Sequence, residues 1–136
     1  MSALVLDASI TMAWLLHDQK DPRAEFTQSR LTKDRALVPQ LWHLEVRNCL
    51  IVAKRRGHIS TGRLTECLEA LRWLLIQTDT ELDLSTAFSL AQTHGLSFYD
   101  AIYLELAKRQ EAALASLDAA LIRAAAAEGI PSVEST

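Results

Sequence analysis

Four acidic residues, Asp7, Glu45, Asp100 and Asp118, stand where a folded core would not choose a charge. Asp7 closes the run Ala3-Leu4-Val5-Leu6, which is apolar without alternation, as in a strand buried on both faces of a parallel sheet. Asp118 closes a second such run, Ala113-Leu114-Ala115-Ser116-Leu117. Both acids therefore fall at the carboxyl ends of strands, the edge at which open α/β sheets place ligands. If the two strands are neighbours, the carboxylates converge. Each acid also suits the N-cap of the helix that follows, where a carboxylate accepts orphan N–H groups.

Glu45 is the most informative on helical geometry. Along the helix expected from about Gln40 to Arg56, a turn of about 100° per residue gathers His43, Arg47 and Lys54 on one face. Leu41, Trp42, Val46, Cys49, Val52 and Ala53 spread over the opposite side, and Glu45 falls among them. A carboxylate there is costly unless an arginine pairs with it or a cation binds it. Asn48, one turn on, is placed either to orient that carboxylate or to act as an ordinary interior amide. Asp100 follows Ser97 at capping-box spacing, so it can serve its own helix start. A first-turn position also points it toward the ligand edge of the sheet.

The elements that must position these acids alternate along the chain. Helical patterns are expected over Ile10–Leu16, over about Pro22–Lys33, over Gln40–Arg56, and from an Ile59 staple and Ser60 cap to about Gln77. The two long helices, joined by a very short link, are expected to form an antiparallel pair. Ala36–Val38 and Thr78–Thr80 are strand candidates, followed by helices over Asp83–His94, Ser97–Gln110 and Ala119–Glu128, with a last strand around Pro131–Val133. Such alternation implies an α/β protein with a parallel sheet covered on both faces. Gly57, Gly95 and Gly129 sit where helix C-caps belong, which leaves no glycine-rich phosphate loop.

Composition bounds the rest. The 136 residues, with 49% hydrophobic and 23% charged, suit one domain spanning 1–136. No apolar run approaches the roughly 20 residues of a membrane span, and no basic leader precedes an apolar stretch, so a soluble, cytoplasmic protein is expected. Cys49 and Cys67 stand alone within helical patterns and read as small buried hydrophobes, and the four histidines are scattered, which argues against structural zinc. The net charge of −3 is unusual for a nucleic-acid binder. Setting aside the four acids, however, leaves thirteen against fourteen basic residues, close to neutrality.

Asp7-Ala8-Ser9, Glu45 followed by Asn48, the string from Leu96 to Ala107 containing Tyr99-Asp100-Ala101-Ile102-Tyr103-Leu104, and Leu114 to Asp118 resemble the PIN-domain ribonucleases, in particular the VapC toxins of toxin–antitoxin pairs. The likeness runs in order along essentially the whole chain. One departure is Ser116, where the family usually carries threonine; the hydroxyl is kept. The resemblance implies a three-layer α/β/α sandwich with a mainly parallel central sheet. It also implies Asp7, Glu45, Asp100 and Asp118 as metal-binding acids, with Ser9 and Ser116 as hydroxyls beside them. The implied activity is a Mg²⁺- or Mn²⁺-dependent endoribonuclease, usually dimeric and silenced by a cognate antitoxin.

The residue types suit that chemistry. Oxygen donors without sulfur or imidazole favour Mg²⁺ or Mn²⁺. Such an ion lowers the pKa of water, orients the scissile phosphate and offsets charge on the attacking and leaving oxygens. Four crowded acids repel one another, so without metal the site is expected to hold a proton or stay loose. Arg47, Lys54, Arg55 and Arg56 offer a strip for RNA phosphates, or simply a solvated face at a helix end. The apolar surface of the helix pair, with Trp42 and Trp73, exceeds what a small sheet covers, which suits a second copy or an antitoxin helix. Two other readings remain: an aspartyl phosphatase, disfavoured because Ser9 stands where a second acid is wanted, and a catalytically inactive PIN-like or receiver-like binding module.

Overall fold

A computed structural model describes residues 2–16, 21–31 and 33–133. Four strands, β1 (Ala3–Leu6), β2 (Arg35–Pro39), β3 (Ile76–Asp79) and β4 (Ala113–Ala115), form one parallel sheet in the order β3-β2-β1-β4. Between and after them run α1 (Ala8–Leu16), α2 (Pro22–Arg30), α3 (Gln40–Arg55), α4 (Thr61–Arg72), α5 (Leu84–His94), α6 (Phe98–Arg109) and α7 (Ala119–Ala127). Right-handed crossovers put α1 to α4 on one face and α5 to α7 on the other. The packing of α6 on β1, β2 and β4, and of α5 and α7 on α6, agrees with this α/β/α layering.

The central strand explains its own sequence. Leu4, Val5 and Leu6 are all fully buried because helices cover both faces, so no position of β1 meets water. From β1 the chain winds outward through β2 and β3, then crosses back to place β4 on the other side of β1. The crevice between β1 and β4 is therefore the topological switch point, where the loops leaving neighbouring strands diverge and leave room for a ligand. Register fixes the level of that edge: Leu6 pairs with Ala115, and the Asp7 N–H donates to the Ala115 carbonyl at 3.1 Å. Asp7 and Ser116 thus stand side by side.

The expected elements are present, with shifts at several ends, and the strand expected over Ala113–Leu117 stops at Ala115 because only Ala113 to Ala115 pair with β1. The helix expected to reach Gln77 stops at Arg72, and its strand begins at Ile76 instead of Thr78. Leu74 and Leu75 continue the helical spacing, but the outer edge of β2 needs a partner, and Ile76 to Asp79 pair with Ala36 to Pro39. Sheet pairing overrides local periodicity here. The second helix ends at Arg30, short of Lys33, and the last strand reduces to a single parallel bridge between Leu114 and Ser132.

Candidate active site

Asp7 is the best-held acid. Its Oδ1 accepts from the Ser9 hydroxyl at 2.6 Å and from the Ile10 N–H at 3.1 Å, and its Oδ2 accepts from the Ser116 hydroxyl. The two serines are also tied crosswise, Ser9 Oγ accepting from the Leu117 N–H and Ser116 Oγ from the Asp118 N–H, both at 2.9 Å. Together they stitch the end of β1 to the end of β4. Burial pushes the Asp7 carboxyl above the usual carboxylate range and Asp118 adds to that, while Ser116, Ser9 and the Ile10 N–H pull the other way.

Asp118 caps α7, its Oδ1 accepting from the Leu121 N–H at 3.0 Å, and the rest of its carboxylate is exposed. Asp7 caps α1 in the same manner, so the capping reading and a ligand role coexist in both residues. At Asp100 the Ser97 hydroxyl accepts from the Asp100 N–H at 3.1 Å. The reciprocal half of a capping box is missing, since no bond runs from the Ser97 N–H to the Asp100 carboxylate. Its carboxyl group feels the Ser97 side chain at its own helix start but makes no bond to the backbone there. Burial raises its pKa, and repulsion by Asp118 raises it further, against a lowering by Ser97.

Glu45 is half-buried on the flank of α3 beside the stripe formed by Trp42, Val46, Leu50 and Ala53. No arginine pairs with it. Among the described residues no Lys, Arg or His comes within ion-pair distance of Asp7, Glu45, Asp100 or Asp118. The partner of Glu45 is Tyr103, whose phenol donates to Oε1 at 2.6 Å. Burial raises the Tyr103 pKa well above the ordinary phenol value, and the fields of Glu45, Asp7 and Asp100 raise it further. Sequence reasoning passed over Tyr103. The available signal was its place one turn after Asp100, on the same face of α6.

The remaining candidates are dispersed. Asn48 lies on exposed surface and makes no hydrogen bond to Glu45. Cys49, expected to be buried, is exposed because the flank carrying Glu45 is open; Cys67 is buried as expected. Trp42 is a core residue, donating from Nε1 to Thr11 Oγ1 at 2.9 Å, whereas Trp73 is largely exposed. Arg47 donates to the His43 carbonyl at 3.0 Å and remains on the surface. Lys54, Arg55 and Arg56 lie nine to eleven residues beyond Glu45, roughly 14–17 Å along the helix axis at 1.5 Å per residue.

Asp7 and Asp100 each feel Asp118, and Tyr103 feels Glu45, Asp7 and Asp100, so acids from four separated segments share one electrostatic field. Among the described residues no three His, Cys, Asp or Glu side chains are gathered tightly enough to hold a metal ion as they stand. The donor set nevertheless fits a hard divalent cation: it is all oxygen, free of cationic partners, and the Oε2 of Glu45 has no partner among the described residues. Rotation of carboxylate side chains would have to close the last distance.

This geometry defines an α/β/α protein with carboxylates lining the switch point of a parallel sheet. The comparisons narrow that class: the sequence model of the PIN domain matches residues 4–127, and the chain belongs to the PIN-domain family. Ribonuclease VapC3 of Pyrobaculum aerophilum is 33% identical over 119 residues, covering 85% of this chain and 88% of that protein. Among solved structures, PAE2754 from P. aerophilum superposes with a TM-score of 0.65 at 20% identity, covering 90% of this chain and 84% of the other. FitAcB from Neisseria gonorrhoeae gives 0.69 at 15% identity, covering 97% of each chain. Both confirm the fold.

Proposed function

We propose that this chain is a Mg²⁺- or Mn²⁺-dependent endoribonuclease and the toxin of a toxin–antitoxin pair. The observation that supports this reading is the pair Asp7 and Asp118 at the switch point of a PIN fold, with Asp100 in the field of Asp118 and none of Asp7, Glu45, Asp100 and Asp118 paired with a cation among the described residues. Likeness to a protein named as a ribonuclease supports the substrate class. The bound ion supplies polarisation of the scissile phosphate and a more acidic water. Asp7, held by Ser9 and Ser116, and Asp118, facing solvent, would hold the ion. Glu45 and Asp100 would hold a second ion or orient water. Water attacks in line, leaving a 5′-phosphate and a 3′-hydroxyl.

Leu44, Ile51 and Leu68 on α3 and α4, with Trp73 and Leu75 just beyond, are exposed apolar side chains. They support a protein partner, which we assign to the antitoxin, with a homodimer as the working assembly and the cytoplasm as its compartment. None of the described helices is long and apolar enough to cross a membrane.

The deciding experiment incubates purified protein with structured RNA in Mn²⁺ or in EDTA. Cutting is expected in Mn²⁺ alone and should fall at least 100-fold in Asp100→Asn with circular dichroism unchanged. Equal cutting by Asp100→Asn would refute the four-acid site, and the absence of metal-dependent cutting in any RNA would favour a binding module.

A further inference from the structure

Tyr103 is 1% exposed, and its single phenolic proton is committed to one acceptor, Glu45 Oε1, at 2.6 Å. A buried phenol must find an acceptor, and here the acceptor comes from a residue 58 positions away on the opposite layer of the fold. The bond therefore crosses the edge of the sheet, from α6 to α3. It falls one helical turn from Asp100, so α6 supplies one acid of the site directly and governs another through Tyr103. Glu45 has three side-chain torsions and no other hydrogen-bond or ion-pair partner among the described residues. Without the phenol its carboxylate would be free to rotate. With it, one of the two lone pairs of Oε1 is engaged, which makes Oε1 the poorer donor to a cation, and Oε2 has no partner among the described residues.

That one-sided presentation has a chemical consequence. Mg²⁺ and Mn²⁺ accept near-octahedral sets with carboxylates bound through one oxygen. Ca²⁺ is larger and takes six to eight oxygens, commonly with a carboxylate bound through both. We propose that Tyr103 is a positioning residue that, by engaging Oε1, biases Glu45 toward coordination through Oε2 alone and so tilts the site toward small six-coordinate cations over Ca²⁺. The inference rests on the four-acid reading given under Proposed function and extends it to metal choice.

The test needs no RNA. Mn²⁺ and Ca²⁺ binding to the full chain are measured separately by titration calorimetry, with Mn²⁺ also followed by electron paramagnetic resonance, for wild type, Tyr103→Phe and Asp7→Asn. In Tyr103→Phe the Mn²⁺ Kd should rise about tenfold, as is usual when a residue orienting a ligand is removed. The Ca²⁺ Kd should stay level or fall, so that the preference for Mn²⁺ narrows by more than the loss in affinity alone. Glu45→Asp, which keeps the charge but withdraws it from the phenol, should narrow the preference in the same direction and guards against misfolding of the first variant. Equal changes for both ions, or no change, would overturn the inference while leaving the site intact. Wild type that binds neither ion, or binds them as well as Asp7→Asn does, would overturn the underlying site as well.

Discussion

Ser116 serves two acids at once, donating to Asp7 and accepting from the amide of Asp118. Its removal leaves a buried carboxylate oxygen without its donor and an amide without its acceptor, each a loss of the order of 1–3 kcal/mol before relaxation. Ser116→Ala should therefore lower stability by about 1–3 kcal/mol in urea unfolding. It should also reduce metal-dependent RNA cutting about tenfold or more, because Asp7 loses the bond that fixes its plane. Ser116→Thr, which keeps the hydroxyl, should retain the activity. Asp7 and Asp118 were legible in the sequence because each closes a continuously apolar run, whereas Ser9 came only with the resemblance to the PIN-domain ribonucleases. Tyr103 was not legible, since a tyrosine inside an apolar helix looks like core until its hydroxyl is traced to an acceptor.

At the scale of elements, the placement of Asp100 and Tyr103 depends on how α6 is held against the sheet. Arg109, in the last turn of α6, grips Asp79 at the end of edge strand β3 with two bonds, at 2.9 and 2.7 Å, and also donates to Glu105 at 2.7 and 3.1 Å. Glu105 is 2% exposed, so removing its cation strands a buried charge. Arg109→Met should cost about 3–5 kcal/mol in chemical denaturation, and adding Glu105→Gln should recover part of that. The pH dependence follows from Asp79, whose carboxyl Arg109 holds below the usual range. Its contribution is complete above the unfolded value of 3.8 and is lost as pH falls through the lower folded value. The gap between wild type and Arg109→Met should thus be widest near neutrality and narrow below about pH 4. Helix starts were legible in the sequence because caps are local: Ser60 and Ser97 accept the expected amides, and Asp83, read only as the first residue of its helix, caps it as well. The end of α4 was not, because the pairing that decides it lies in β2, some forty residues upstream.

For the whole molecule, the strand order brings two distant acids to one edge: β1 and β4 are neighbours although more than a hundred residues separate them, and the crossover after α6 puts Asp118 near Asp7. The sequence shows that both apolar runs end on a carboxylate, but pairing order is a long-range property that one-dimensional patterns do not encode. Charge is distributed on the same scale. Asp7 and Asp118 make the crevice acidic, while Lys54, Arg55 and Arg56 cluster at the far end of α3, about 14–17 Å from Glu45 by helical rise. Basic residues at that remove can hold only an RNA long enough to span several nucleotides beyond the cut. The triple variant Lys54→Gln/Arg55→Gln/Arg56→Gln should therefore raise KM severalfold for a long single-stranded RNA and weaken its salt dependence. With a tri- or tetranucleotide, kcat and KM should match wild type. Equal effects on long and short substrates in steady-state assays would place the strip's influence elsewhere, and no effect on either would make it the plain solvated end of a helix, where cations are favoured by the dipole alone.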